Sequence, residues 1–357
     1  MEKLRGLILS GGAGTRLRPI TYTSAKQLVP VANKPVLFYA IEALVEASID
    51  EIGIVIAPET GDEIAAAAGD GSRFECSITY IPQAKPLGLA HAVLTAEEFL
   101  QDDPFVMYLG DNLLRDGIVD LVGAFRASEP DAMILLTRVP DPSSYGVAEL
   151  DEERVVRLVE KPAAPPSDMA LVGVYMFGPR IFEAAKAISP SARGELEITD
   201  AIQQLIDGGK RVESRVVSGW WKDTGQLDDV LEANRLVLED LERRVEGELV
   251  DSKVEGRVVV EPGARLERSV VRGPAVIGAE SRITDAYIGP YTSVDAGVTV
   301  TRSEVEHSIL LAGSSVTDLD SRMEASLLGR NVTLSRGDGL PKTLRMIVGD
   351  NAEIKIP

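Results

Sequence analysis

The first 245 residues alternate between short apolar runs and longer stretches in which apolar residues recur with helical spacing. The apolar runs predict β-strands at 4–10, 52–57, 78–82, 105–109 and 132–139, and the helical spacing predicts helices at 35–48 and 89–100. Strands that alternate with helices are typical of a mainly parallel sheet covered by helices. Such sheets bind ligands beyond the carboxyl ends of their strands, so residues that follow strands are the candidates for a site.

The pattern changes near residue 245, where the helical spacing stops and apolar residues recur every six positions. The recurring residues are Val254, Val260 and Leu266, then Ile277 and Ile283, then Ile288, Val294 and Val300, and finally Leu328 and Leu334. A sustained period of six is typical of a parallel β-helix, in which each hexapeptide forms one side of a coil. The spacing is broken between Ile283 and Ile288, which predicts imperfect coils. An antiparallel sandwich with evenly spaced turns is the alternative.

We therefore predict an α/β fold with two domains. Residues 1–245 form a Rossmann-like domain with a mainly parallel sheet, and residues 246–357 form a left-handed parallel β-helix of hexapeptide repeats.

Charge and composition exclude several classes of partner. The formal net charge of −19 disfavours binding to polymeric nucleic acid or to an anionic membrane surface, because both would repel the chain. No apolar run approaches the ~20 residues that span a bilayer. The single cysteine, Cys76, cannot form an internal disulfide, and the absence of an apolar leader after Met1 predicts a cytoplasmic location.

The first predicted strand continues into a glycine-rich loop, GGAGTR, at residues 11–16. Glycines let backbone N–H groups approach an anion closely, and the guanidinium of Arg16 matches phosphate oxygens. The loop lacks the Gly-Lys-Ser/Thr of a Walker A motif, and Leu17 stands where a dinucleotide fingerprint needs its third glycine. With Lys26 close behind, the segment indicates a triphosphate site. An ordinary strand-to-helix turn with two solvated cations is the alternative.

At this point the chain resembles the sugar-phosphate nucleotidyltransferases. The resemblance rests on LSGGAGTRLRPIT and KQLVPVANKP, followed in order by QAKPLGLAHAV, LGDN, YGV, VEKP and WWKDTG. It covers nearly the whole chain, including a β-helical tail similar to that of the long-form glucose-1-phosphate thymidylyltransferases. Within the family, the Lys26-Gln27 pair and Gln83 point to thymidylyl rather than guanylyl transfer.

The resemblance implies a site for dTTP, glucose 1-phosphate and Mg²⁺, and it implies a homo-oligomer. The nucleotide would contact Gly11, Gly14, Thr15, Arg16, Lys26, Gln27, Gln83, Gly88 and Asp111. Asp111 and Asp223 would hold the metal. The sugar phosphate would contact Asn112, Gly146, Glu160, Lys161 and Leu171. Arg16, Lys26, Asp111 and Lys161 would be the catalytic group.

Each of these motifs also has a structural interpretation. Asp111 suits a helix N-cap, Asp223 a turn, and Glu160 with Lys161 an exposed ion pair. Uridylyl transfer or another sugar 1-phosphate remains open, and so does a non-catalytic sugar-nucleotide sensor. A third alternative is a bifunctional enzyme whose tail acetylates through His307, although we interpret His307 as structural.

Overall fold

The structure, a computed structural model, describes residues 3–12, 14–152 and 154–336. The described residues divide into two compact units. The first takes those within Met1–Ala13, Ser24–Leu28 and Val36–Asp223, and the second those within Gly14–Thr23, Val29–Pro35 and Thr224–Pro357. In the described part of the chain, no helix has both the length and the apolar character needed to cross a membrane.

The elements of the first 240 residues alternate as the sequence pattern indicates. The strands are β1 Arg5–Ser10, β2 Pro30–Val31, β3 Lys34–Pro35, β4 Glu51–Ile56, β5 Ser77–Pro82, β6 Phe105–Leu109, β7 Asn112–Leu114, β8 Ala132–Arg138, β9 Gly146–Asp151, β10 Arg154–Glu160, β11 Met169–Phe177, β12 Val212–Val216 and β13 Trp221–Asp223. The helices are α1 Val36–Glu46, α2 Gly61–Ala68, α3 Leu89–Thr95, α4 Glu97–Leu100, α5 Val119–Ser128, α6 Arg180–Ala187, α7 Ile198–Asp207 and α8 Leu227–Glu239. Short 3₁₀ helices lie at Thr15–Leu17, Ile20–Tyr22, Lys26–Leu28 and Ser72–Phe74.

The main sheet of the first unit has the strand order β10-β9-β11-β6-β1-β4-β5, with β8 joining β11 to β12. Pairing is parallel between β6, β1, β4 and β5, and antiparallel around β11. The predicted α/β fold with a parallel-rich, Rossmann-like sheet is therefore confirmed. Because β11 runs against its neighbours, its amino-terminal half extends to the edge where β6 ends.

Both faces of the central strands are buried, which explains their almost continuous apolar sequence. Leu7 and Met107 pack into a core on one face of the sheet, while Ile8 and Tyr108 pack into a core on the other. The predicted helix at 89–100 is instead two helices, because the chain leaves helical geometry at Ala96, where φ is −91° and ψ is 4°.

The tail belongs to the second unit and is built from short strands. They are β14 Arg244–Val245, β15 Glu248–Val250, β16 Lys253–Glu255, β17 Val258–Val260, β18 Arg265–Glu267, β19 Val270–Arg272, β20 Ala275–Ile277, β21 Arg282–Thr284, β22 Tyr287–Ile288, β23 Thr292–Val294, β24 Thr299–Thr301, β25 Glu304–Glu306, β26 Ile309–Leu310, β27 Ser315–Thr317, β28 Met323–Glu324, β29 Leu327–Leu328 and β30 Thr333–Ser335. Up to residue 336 these strands form three sheets with parallel pairing throughout. The parallel β-helix is confirmed over these residues, and the antiparallel sandwich is excluded.

The broken spacing at Ile283 and Ile288 is not an imperfection, and that part of the prediction was wrong. In-register partners such as Leu266 and Ile283, or Val271 and Ile288, lie 17 positions apart, as do hydrogen-bonded residues on neighbouring coils. Each coil therefore has two sides of six residues and one of five, and the short side recurs in every such coil. Later partners are 16 or 18 positions apart.

Helix α8 and the segment that contains β2 and β3 belong to the same unit as the tail. The buried amide of Asn234 joins them, because its Oδ1 accepts from the backbone N–H of Ala32 at 2.8 Å and from Oγ of Ser293 at 2.6 Å. Its Nδ2 donates to the carbonyl of Tyr291 at 3.1 Å. The domain boundary at residue 245 stays a prediction, and residues 337–357 of the predicted tail domain lie outside the described residues.

Ile283→Ala is expected to destabilise the β-helix by about 2–5 kcal/mol, because Ile283 is fully buried and its loss leaves a cavity in a column of stacked apolar side chains. The measurement is the midpoint of denaturant-induced unfolding, with the unfolding of the tail monitored by hydrogen exchange of its amides. Arg282→Ala is the matched control, because Arg282 is next to Ile283 in the chain but its side chain is exposed. Equal midpoints for the two variants would contradict the assigned core.

Candidate nucleotide and sugar-phosphate site

The parallel strands of the first unit end together at one edge of the main sheet. β1 and β6 are in register up to Leu9 and Leu109, and β4 and β5 are in register up to Ile56 and Pro82. The residues that follow three of these strands are Gly11, Gln83 and Asp111, all predicted from the sequence as nucleotide or metal contacts. The fold thus brings these separate motifs to the edge where parallel sheets bind ligands.

Asp111 is a buried carboxylate with a polar neighbour at each of its oxygens. Lys26 Nζ donates to its Oδ2, and Asn112 Nδ2 donates to its Oδ1 at 3.2 Å. Burial pushes the pKa of Asp111 upward, but the charge and hydrogen bond of Lys26 outweigh burial and hold that pKa below its usual range. Asp111 is therefore an anion at neutral pH. It precedes strand β7 rather than a helix, so the N-cap alternative is wrong.

The side chain of Asn112, the residue after Asp111, binds the aromatic side chain of Trp221. Its Oδ1 accepts from the indole Nε1 of Trp221 at 2.6 Å and from the backbone N–H of Gly173 at 3.2 Å. The Trp221 ring in turn meets Tyr145 edge-on, with 5.3 Å between ring centroids. The side chain of Asn112, predicted as a sugar-phosphate contact, thus also holds neighbouring strands together.

Asp223 comes to Asp111 through the pairing of two short strands. β13 runs antiparallel to β7, and the Cα register places Asp223 opposite Asn112, the residue next to Asp111. Because Asp223 ends a strand, the turn alternative does not describe it. Two aspartates that are far apart in the sequence are therefore brought to neighbouring positions of the backbone.

This donor set fits Mg²⁺. The ion prefers hard oxygen ligands, and it is commonly held by one or two carboxylates together with water and substrate phosphates. Among the described residues there is no group of three or more His, Cys, Asp or Glu side chains arranged to hold a metal. A two-carboxylate site for a substrate-bound ion does not require such a group.

Two buried glutamines stand beside the glycine loop. Gln83 Nε2 lies 2.8 Å from Nδ1 of His91, and a Cβ added to Gly11 would lie 3.1 Å from Gln83 Oε1. Gln27 is 1% exposed, and no hydrogen bond reaches its Oε1 from the residues that the structure describes. Both amides thus lie beside the glycine loop at this edge of the sheet.

Gly88, the last predicted nucleotide contact in this region, has a backbone that only glycine suits. Its φ is 105°, and a Cβ would lie 2.4 Å from the carbonyl oxygen of Leu196. Helix α3 begins at the next residue.

The predicted sugar contacts meet at the ends of β9, β10 and β11. Gly146 pairs with Glu160, and a Cβ added to Gly146 would lie 3.4 Å from Glu160 Oε2 and 3.6 Å from Cδ2 of Leu171. Thr199 Oγ1 donates to Glu160 Oε2 at 3.2 Å. Burial, the largest influence, raises the pKa of Glu160, while Lys161 and Arg193 oppose that rise.

The chain bends between Glu160 and Lys161. β10 ends at Glu160, and Lys161 has a φ of 40° while its backbone N–H donates to Tyr145 at 3.0 Å. Lys161 Nζ then lies 3.6 Å from Glu160 Oε1. Adjacent side chains of a strand point to opposite faces, but the bend places Lys161 outside the strand. The side chains of Glu160 and Lys161 can therefore reach one ligand.

The remaining predicted contacts, Gly14, Thr15 and Arg16, belong to the second unit. Gly14 has a φ of 61°, and its carbonyl accepts from Oγ1 of Thr21 at 2.6 Å. Thr15 and Arg16 are exposed in the 3₁₀ helix that follows. Their contact with a nucleotide stays a prediction.

Comparison with known families shows which family the chain belongs to. The sequence profile of the family described as Nucleotidyl transferase matches residues 5–240. The chain belongs to the nucleotidyl transferase family.

Relatives of this nucleotidyl transferase include a glucose-1-phosphate thymidylyltransferase of Streptomyces griseus, 56% identical over 99% of both chains. A solved structure of a Bacillus anthracis protein assigned as a glucose-1-phosphate thymidylyltransferase, in complex with sucrose, is 36% identical and superposes with a TM-score of 0.63 over 68% of this chain and 97% of that chain. A solved UDP-glucose pyrophosphorylase with bound UDP-glucose is 26% identical, with a TM-score of 0.59 over 66% of this chain and 98% of that chain.

The structure adds residues to the candidate site that the sequence analysis did not place there. His91 hydrogen-bonds Gln83, and Thr199 and Arg193 both approach Glu160. The local sequence gives no indication that Thr199 and Arg193 belong to the site, because both come from segments that meet β10 only in the folded chain.

His307 lies at a coil corner of the nucleotidyl transferase tail. Its φ is 44°, and its ring meets Tyr291 edge-on with 6.1 Å between centroids. The structural interpretation of His307 stays a prediction.

Proposed function

We propose that this nucleotidyl transferase transfers a thymidylyl group from dTTP to α-D-glucose 1-phosphate, giving dTDP-glucose and pyrophosphate. The observation that carries the proposal is the 56% identity with the Streptomyces griseus glucose-1-phosphate thymidylyltransferase over 99% of both chains. Identity of this extent includes the tail, so it relates the two proteins as wholes. A cytoplasmic location and a homo-oligomeric state stay predictions.

The chemistry is a displacement at the α-phosphorus, in which a phosphate oxygen of the sugar phosphate attacks and pyrophosphate leaves. The attacking oxygen is already ionised at neutral pH, so no side chain has to remove a proton. The protein must instead neutralise and align two anions that repel each other. We assign Lys26, which pairs with Asp111, to this neutralisation and Arg16 to the leaving pyrophosphate.

Asp111 and Asp223 would hold Mg²⁺. When bound, the ion supplies positive charge to the phosphate oxygens without any proton transfer. Asp111 is kept ionised for this role by Lys26, as the lowered pKa of its carboxyl indicates. The same pairing means that Lys26 and a metal share one carboxylate, so Lys26 can turn toward phosphate when the metal occupies Asp111.

Glu160 and Lys161 are assigned to the two ends of the sugar phosphate. The Glu160 carboxylate can accept hydrogen bonds from sugar hydroxyls, and Thr199 and Arg193 hold it in place. The side chain of Lys161 is 44% exposed, so its ammonium can leave Glu160 for the sugar's phosphate group at small cost.

Lys161→Ala is expected to raise the KM for glucose 1-phosphate by roughly 10–100-fold with a smaller loss of kcat, because Lys161 would meet an anion already present in the ground state. The measurement is steady-state pyrophosphate release. Lys186→Ala is the matched control, since Lys186 also pairs with a glutamate, Glu97, outside the site. A variant that lost kcat alone would contradict this role.

Affinity for glucose 1-phosphate is expected to fall on acidification at a higher pH than an ordinary glutamate would give. The raised pKa of Glu160 means that its carboxylate gains a proton earlier as pH falls, and the neutral acid is a poorer acceptor for sugar hydroxyls. The measurement is KM for glucose 1-phosphate against pH. Glu160→Gln should remove this dependence, and an unchanged profile in that variant would count against the assignment.

The experiment that tests the proposed function is a matrix of nucleoside triphosphates against sugar 1-phosphates, scored by pyrophosphate release. We expect dTTP with glucose 1-phosphate to give the highest kcat/KM, and GTP and ATP to be poor. Uridylyl transfer is the second candidate, favoured by the likeness to a UDP-glucose pyrophosphorylase structure. A higher kcat/KM for UTP would establish that candidate instead, and no release with any pair would favour a non-catalytic sensor.

A further inference from the structure

The side chain of Gln83 is held by His91 in one of two possible orientations. His91 lies in the first turn of α3, and its Nδ1 is 2.8 Å from Gln83 Nε2. The other end of the amide, Oε1, faces the position where Gly11 lacks a side chain. The amide nitrogen therefore points to the histidine and the carbonyl oxygen to the carboxyl edge of the sheet.

The tautomer of His91 determines which end of the amide it binds. The two ends of an amide have nearly the same shape, so packing does not distinguish them, whereas donor and acceptor roles do. For Gln83 Nε2 to donate to His91, Nδ1 must carry a lone pair, which is the neutral tautomer with its proton on Nε2. A donor at the position of Nδ1 would attract Oε1 and turn the amide around.

Both partners are anchored by their backbones, so the pair is preformed. The backbone N–H of Gln83 donates to the carbonyl of Ile56 at 2.9 Å, which continues the register of β5. Thr95 Oγ1 donates to the carbonyl of His91 at 2.8 Å, within α3. The ring and the amide are thus presented by a strand end and a helix start rather than by a loose loop.

We infer that His91 is a positioning residue that sets base selectivity by fixing the amide orientation of Gln83, an inference that rests on the proposed function. With Oε1 directed to the carboxyl edge of the sheet, Gln83 accepts from the N3–H of thymine or uracil, and its second amide hydrogen can reach the neighbouring carbonyl. With the amide turned around, Gln83 would present its NH₂ group to the base. That group matches the N3 acceptor of cytosine, so the same glutamine would then read a different pyrimidine.

The test uses dUTP and dCTP, which carry the same charge and sugar and differ only at the edge that Gln83 would read. Three variants change the partner of the amide: His91→Asp offers only an acceptor, His91→Lys only a donor, and His91→Leu neither. The readout is the ratio of kcat/KM for dUTP over dCTP with glucose 1-phosphate, with circular dichroism to confirm folding. Effects of charge on triphosphate binding cancel in this ratio.

We expect the ratio to fall roughly tenfold or more in His91→Leu, to fall further in His91→Lys, and to stay within about threefold of wild type in His91→Asp. The ratio of dTTP to dUTP should be unchanged in each, because it reports the 5-methyl group. A structural role for His91 would lower activity with both nucleotides alike. An unchanged ratio in His91→Leu, or equal ratios in the Asp and Lys variants, would overturn the inference.

The same experiment distinguishes failure of the proposed function from failure of the role inferred for His91. A wild-type enzyme that used neither dTTP nor dUTP would contradict thymidylyl transfer before any variant was compared. A wild-type enzyme that preferred them, together with variants that kept the preference, would contradict only the role of His91.

Discussion

Asp111→Asn is expected to lower kcat by roughly 10²–10⁴-fold at saturating substrates, the largest effect of any single substitution in the first unit. The substitution keeps the size of a buried side chain but removes the charge that would hold Mg²⁺. It also leaves the ammonium of Lys26 without its carboxylate partner. Pyrophosphate release measured across a magnesium titration would show both the loss of turnover and a weaker dependence on the ion.

Asp102→Asn is the matched control for this prediction. Asp102 is an exposed aspartate shortly before β6, whereas Asp111 follows the same strand at its other end. Its substitution should leave turnover and magnesium dependence unchanged. Full activity of wild-type enzyme in excess chelator would show that the carboxylates serve something other than a metal.

Arg16→Ala is expected to lower kcat by roughly 10²–10³-fold with a smaller change in the KM for glucose 1-phosphate. The guanidinium is assigned to charge that grows on pyrophosphate as it leaves, and an interaction that strengthens toward the transition state appears in kcat. Arg16 is exposed and has no part in a buried core, so the variant should fold normally. Steady-state kinetics with each substrate varied in turn would measure the effect.

Arg18→Ala is the control that tests whether the position of the positive charge matters or only its presence in this segment. Arg18 is an exposed arginine two residues along the same segment, and its guanidinium lies over the ring of Tyr22 at 4.8 Å. It should keep near-wild-type kcat. Equal losses in the two variants, or an Arg16→Ala effect confined to the KM for glucose 1-phosphate, would show that Arg16 is not the pyrophosphate ligand.

The sequence predicted the strands that carry the site because burial on both faces demands apolar residues without interruption. Strands β1 and β6 show this in Leu7, Ile8, Met107 and Tyr108. The direction of β11 could not be predicted in the same way. Its nine residues are all buried, and an apolar run has the same composition whichever way it is paired.

The candidate site was predictable to the extent that its residues follow strands. Gln83 and Asp111 fall into this class. The neighbourhood of Asp111 and Asp223 was inferred from a family resemblance, because it depends on the pairing of β7 with β13, two short strands with no distinctive pattern. The contact between Gln83 and His91 was missed, since it depends on two side-chain orientations that periodicity does not encode.

The regular 17-residue coil has a consequence for how the tail can change in length. Removing one complete coil would bring each strand into register with the next equivalent strand, so core columns, polar corners and parallel ladders would all be rejoined. Removing a single residue from within a strand would instead move the side chains that follow it in that strand to the opposite face, whereas the coils of 16 and 18 residues show that corners absorb such changes. The tail can therefore be shortened or extended in whole coils while the packing inside the remaining coils is preserved.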